Sequence, residues 1–410
     1  MSLFRKRAPI FYDAANFAVE HAQHLLLEIV MRRWTETETG HNVAGHQNFA
    51  DPDDFELQLE LCLRQWLERH DIVLRTVWDR RLKGPPFRGL EAFDAGYAPV
   101  FFGREAALER AIARLREAEA AGTPFLLVVG ASGSGKSSLL RAGLIPRITR
   151  PGAIPGIDLW HSTVVVPTGE PVTRLAEALF EERALGHQLR AGDFATPALL
   201  AEVFASGGAV AIAPLRAALG RAALQRAQAL GFETPRAARV LIAVDQVERI
   251  FVEAAPAQAE AFAEILHVLV VQELATLVVA LRSDAYARFQ QVPAFVALME
   301  KQGGAVYNLL PPTDAELEEI VRKPVAACYP PLVFETSVTG RSLSDAIVAD
   351  ARGGDALPLL QMTLQRLFQA ELTRGDGTLR FADYAGLDAA VEETEFLGWS
   401  VHRKRSKLDG

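Results

Sequence analysis

Residues 125–146 read FLLVVGASGSGKSSLLRAGLIP: an apolar run, a turn of glycine and serine carrying one lysine, and a second apolar run. Few structures suit such a stretch, because glycine alone freely adopts the backbone conformations that let successive N–H groups converge on one point. Gly130 to Ser137, GASGSGKS, completes the spacing G-x-x-x-x-G-K-S/T, after a strand-like run and before a helix-like one, where that spacing has meaning. Converging amides and the positive end of the new helix make a receptor for an anion, here the phosphates of a nucleotide. Lys136 would reach the β- and γ-phosphates as a point charge, and the Ser137 hydroxyl would ligate magnesium. A glycine turn with an incidental lysine is the competing reading, and the flanking runs argue against it.

Four more strand signals follow: STVVVP from Ser162, VLIAVD from Val240, TLVVALR from Thr276 and AVYNLL from Ala305. Helical patterns separate them, so an α/β domain with a parallel sheet is expected. Arg104 to Glu119 reads as a helix with Leu108, Ile112 and Leu115 on one face, and the alanine-rich stretch from Leu175 to Arg239 as helical filling. Past Pro311 helical patterns take over, at 314–325, 342–351 and 359–370, which predicts a separate helical unit. Near the N-terminus, Asn16 to Trp34 and Asp53 to His70 read as amphipathic helices around a polar loop. The expected division is a helical N-terminal region (1–82), an ordered connector (83–103), the phosphate-loop domain (104–311), a helical unit (312–398) and a basic tail (399–410).

Two carboxylates and an arginine join the loop as site candidates. VLIAVDQVERIF runs apolar through Val244 and then presents Asp245 at the carboxyl end of a strand, where open α/β sheets bind ligands. A carboxylate there can hold magnesium through its water shell, and Glu248 could polarise an attacking water. Either acid could instead cap the next helix. Arg282 ends the buried run VVALR, placed to touch a γ-phosphate or to pair with Asp284.

Bulk properties narrow the field. Half the residues are hydrophobic and 23% are charged, the balance of a folded globular chain. A net charge of −8 argues against a nucleic-acid backbone as partner, and the basic clusters at Phe4–Arg7 and His402–Lys407 read as solvated tails. Cys62 and Cys328 give no disulfide framework. His21 and His24 lie one helical turn apart with no third ligand at characteristic spacing. No apolar run is long enough to cross a membrane and no signal peptide is evident, so a cytoplasmic protein is expected. Guanine specificity lacks an N-K-x-D run, and FASGGAV from Phe204 does not reproduce the L-S-G-G-Q signature of transporter ATPases.

With these residues assembled, the chain resembles the novel-STAND group of P-loop NTPases, signal-transduction ATPases with numerous domains. The matches run in order: PPFRGLEAF with FFGRE, GASGSGKSSLLRAGLIP, GAIPGIDLW, VDQVERIF, LRSDAY and ALPLLQMTLQRLF, over about Gly84 to Ala370. The resemblance implies an AAA+-like sheet of the ASCE type, a helical domain and a whole or partial winged helix, together binding ATP and magnesium. It implies that Gly130, Ser132, Gly133, Ser134, Gly135, Lys136, Ser137 and Ser138 hold the nucleotide, that Ser137 and Asp245 hold the metal, that Glu248 assists hydrolysis, that Arg282 senses the γ-phosphate, and that Pro358 touches the base. It also implies self-association or an effector or sensor protein as partner. Gln246 stands where many such ATPases have a glutamate, so slow turnover is expected; a nucleotide-retaining scaffold without turnover and a DNA-dependent loader are the alternatives. Members often continue into a repeat sensor, whereas this chain turns to VEETEFLGWSVHRKRSKLDG, so a minimal or shortened member is expected.

Overall fold

The computed structural model describes residues 3–6, 46–49 and 77–391, apart from 151, 158, 193, 231–233, 236, 301–304 and 353–356. The helices expected at 16–34 and 53–70, the two histidines, Cys62 and the basic tail lie outside these. Within the stretch read as a polar loop, His46–Phe49 forms a strand paired in parallel with Leu3–Lys6. Four residues are too few for an alternating pattern to register in sequence.

Five strands form one parallel sheet: β1 (Phe125–Gly130), β2 (Leu159–Val165), β3 (Ala238–Val244), β4 (Ala275–Arg282) and β5 (Ala305–Asn308), in the order β2-β3-β4-β1-β5. Every residue of β1 is buried, as is β4 through Leu281, because helices cover both faces. On one face Leu126, Val128, Leu241 and Val278 meet Leu108 and Leu115 of α1 (Glu105–Ala120) and Leu140 and Ile148 beyond the phosphate loop. On the other, Leu127, Ile242 and Val279 meet Phe262, Leu266 and Leu269 of α3 (Pro256–Val271) and the helices between β2 and β3. The helix after the phosphate loop, α2, is a composite: Lys136–Ser138 is α-helical, Leu139–Leu144 is a π turn and Ile145–Ile148 returns to α.

Strand order decides where the chemistry sits. β4 lies between β1 and β3, and Gly130 is in register with Arg282 while Val244 is in register with Val279. The carboxyl ends of three adjacent strands therefore present Gly130, Arg282 and Asp245 along one edge, the crevice in which open α/β sheets hold ligands.

Beyond β5 a helical unit contains α4 (Asp314–Ala326), α5 (Leu343–Ala351) and α6 (Leu357–Arg374). Thr313 with Glu316, and Ser342 with Asp345, close reciprocal capping boxes that fix where α4 and α5 begin. Trp78, Phe87, Phe93 and Val100 of the preceding segment are buried in this unit's core, against Ile320, Val321 and Leu360. Trp78–Asp79 also pairs in parallel with Cys328–Tyr329. Residues 77–100 are thus built onto the helical unit, and Phe101 packs on both this core and that of the sheet. Among the described residues, no helix is long and apolar enough to cross a membrane.

Candidate nucleotide-binding site

Left-handed backbone at Gly133 (φ 75°) and Gly135 (φ 88°) turns the chain between β1 and α2, a conformation that a side chain at either position would strain. Lys136 folds back over this loop, its Nζ donating to the carbonyls of Gly130 (3.0 Å) and Ala131 (2.6 Å). Burial pushes its pKa down, while the nearby Glu248 carboxylate acts in the opposite direction. The Ser134 hydroxyl is buried without a hydrogen-bond partner, and the Ser134 carbonyl accepts from Arg104 Nη2 at 2.9 Å. Arg104 Nη1 donates to the Leu310 carbonyl at 3.1 Å, so a guanidinium only 4% exposed ties the loop to the chain leaving β5. Burial lowers the pKa of Arg104 too. Sequence reasoning gave Arg104 no role, although a lone arginine inside FFGRE before an amphipathic helix was in view.

Asp245 follows β3 and is 1% exposed. Its Oδ1 accepts from the Ser137 hydroxyl at 2.8 Å, which brings together the two residues expected to hold magnesium. Its Oδ2 accepts from Arg141 Nε (3.0 Å) and Nη2 (2.9 Å). Arg141 is a second residue missed from sequence: SSLLRAGL read simply as an amphipathic helix. The signal was a single cation four residues after Ser137, the spacing that shares a helix face. The π turn around it has a local cause. Pro146 has no N–H for the carbonyl four residues back, and the Ile145 N–H reaches instead to Leu140, five residues back.

Glu248 is half-buried, and its Oε2 accepts from the Arg282 N–H at 3.3 Å. The Arg282 guanidinium makes a forked pair with Asp284, Nε to Oδ1 at 3.1 Å and Nη2 to Oδ2 at 2.6 Å. Of the two roles left open for Arg282, this geometry displays the pairing. Gln246, between Asp245 and Val247, has φ 57°, a left-handed conformation uncommon outside glycine that turns the chain sharply after β3.

A cavity of about 410 Å³ joins these groups, with walls from the phosphate loop, the strand ends, residues 89–93 of the connector, and α4 and α6 of the helical unit. Pro358 lies over the loop itself: a Cβ on Gly133 would stand 3.1 Å from Pro358 Cγ. Ser138 Oγ accepts from the Phe93 N–H at 3.1 Å, fastening α2 to the connector. Gln361, whose buried Oε1 has no hydrogen-bond partner, lines the same cavity and was not singled out from sequence. The donor set fits a magnesium nucleotide. Hydroxyl and carboxylate oxygens suit a hard cation, and the loop amides with Lys136 suit phosphates. Among the described residues, no group of three or more His, Cys, Asp or Glu side chains is arranged to hold a metal.

The family profile described as novel STAND NTPase 1 matches residues 86–394. No curated protein matches the chain. Among solved structures, the chain is similar to the Aeropyrum pernix ORC2 protein in ADPNP–ADP complexes, with a TM-score of 0.46 and 15% identity over 70% of this chain and 67% of that one. A Walker-type ATPase of Pyrococcus abyssi gives a TM-score of 0.40 and 14% identity, covering 74% and 75%. Domain III of the Thermotoga maritima replication initiation protein DnaA gives a TM-score of 0.37 and 14% identity, covering 70% and 92%.

Proposed function

The chain belongs to the novel STAND NTPase 1 family, and from that premise we propose that it is an ATP-driven switch in cytoplasmic signalling. ATP with magnesium binds between the sheet and the helical unit, and the γ-phosphate biases how the two are held. The observation that carries this reading is the shared cavity: Lys136, Ser137 and Asp245 stand on one wall and Pro358 of α6 rests against Gly133 on another.

On this reading Lys136 gives up its two loop carbonyls for phosphate oxygens. Ser137 and Asp245 would hold the metal, which when bound would supply positive charge to offset that of the phosphates. Glu248 orients and deprotonates the attacking water, and Arg282 exchanges Asp284 for the γ-phosphate. Gln246 supplies no second carboxylate beside Asp245, so turnover is slow and the bound state is the signalling state. The N-terminal region carries the output, through self-association or a protein partner.

Isothermal calorimetry with magnesium and ATP tests the core of the proposal. Wild-type protein should bind, and Lys136→Ala should weaken binding at least ~30-fold through loss of a buried charge-assisted contact. Absence of heat with any magnesium nucleotide would overturn the reading.

A further inference from the structure

Asp245 is almost fully buried and both its oxygens already have protein partners, Ser137 on Oδ1 and the Arg141 guanidinium on Oδ2. A buried carboxylate without a counter-charge would be costly, and here the chain supplies that charge from the turn after its own phosphate loop. Around the site, Asp245, Glu248, Asp284 and Glu91 face Lys136, Arg141, Arg282 and Arg104, four carboxylates against four cations. The protein side of the site is therefore close to neutral. Ser137 adds only an uncharged oxygen.

We propose that Arg141 is a resident counter-ion that makes metal capture conditional on the nucleotide. Because its guanidinium offsets Asp245, a divalent cation gains little from the protein alone and enters with the phosphates, whose negative charge tips the balance. Arg141 is a positioning residue here: it acts through Asp245, holding that carboxylate's orientation toward Ser137 as well as its charge. The inference rests on the site being one for a magnesium nucleotide.

The test uses the full chain and two readouts other than turnover. Manganese binding without nucleotide is followed by electron paramagnetic resonance, and ATP affinity is measured by calorimetry in EDTA and in magnesium. Wild-type protein should take up no manganese at millimolar concentration without nucleotide. Arg141→Gln should bind it, and the factor by which magnesium strengthens ATP binding should rise about tenfold, as expected for removing one nearby cation. Arg141→Lys should stay near wild type, and in an Asp245→Asn background the glutamine change should have no further effect. Manganese binding by the wild type itself would overturn the inference without any variant. So would an unchanged magnesium factor in Arg141→Gln, or equal shifts in the Gln and Lys variants. If the wild type binds no ATP under either condition, the nucleotide reading fails; ATP binding in EDTA with an unaltered magnesium factor in Arg141→Gln sinks this inference alone.

Discussion

Lys136 shows how a residue's environment turns into measurable behaviour. Burial lowers its pKa below the ordinary 10.5, so it releases its proton at a lower pH than an exposed lysine. The depressed pKa opposes folding where Lys136 must stay charged, and that penalty fades as pH rises from the folded value toward the unfolded one. Phosphates favour the charged form, so ATP affinity should fall as pH rises through the depressed value. Calorimetry near that pH in two buffers of different ionisation heat should show proton uptake on binding; identical apparent heats would contradict the argument. Glu248 supplies a second expectation. Glu248→Gln should keep ATP affinity but slow phosphate release by about 10²-fold, the range for losing a general base. Release unaffected by that change would take Glu248 out of the reaction and favour the scaffold reading.

At the scale of elements, the sequence was most legible where one pattern filled one structure. The apolar runs at 125–129 and 276–282 are strands, and 314–325 and 342–351 fall within one or two residues of α4 and α5. Apolar periodicity and capping residues are local, so they can be read locally. What could not be read depends on partners far away in the chain. The insertion of β4 between β1 and β3 puts Arg282 opposite Gly130, and no spacing in the sequence reports strand order. Arg141 and Arg104 have no assignable role in the sequence, because Asp245 and the loop carbonyls they bind are brought to them only by the fold. The π turn of α2 differs in kind: Pro146, its cause, is local, and only the longer hydrogen bond from the Ile145 N–H to the Leu140 carbonyl is not legible in the sequence. Gly143 in that turn lies against α1: a Cβ there would stand 2.5 Å from Leu108 Cδ2 and 3.2 Å from Phe101 Cε1. Gly143→Ala should therefore destabilise the fold by about 1–3 kcal/mol through overpacking, although alanine favours helix more than glycine does. A denaturant midpoint unchanged or raised in this variant would show that α2 can slide on α1.

For the whole molecule, the question is whether the nucleotide joins the two units or is held by the sheet alone. The helical unit has its own core, which includes Trp78, and its lower end is locked by Arg80 Nη1 on Glu371 at 2.6 Å, with Glu371 fully buried and also accepting from the Gly377 N–H. Arg80→Ala strands that carboxylate with one remaining partner and should cost about 3 kcal/mol. A ligand binding only the folded form at a hundred times its Kd returns about 2.7 kcal/mol, so saturating ATP should offset most of this loss if ATP contacts the helical unit, and little of it otherwise. Hydrogen exchange locates the effect. With ATP and magnesium, amides of α6 from Leu357 onward should slow together with those of 130–138, because Pro358 and Gly133 face each other across the loop. Slowing confined to the phosphate loop, with the Arg80→Ala protein melting at the same temperature with and without ATP, would mean that the helical unit is a neighbour of the nucleotide and not its second wall, and the switch would have no lever.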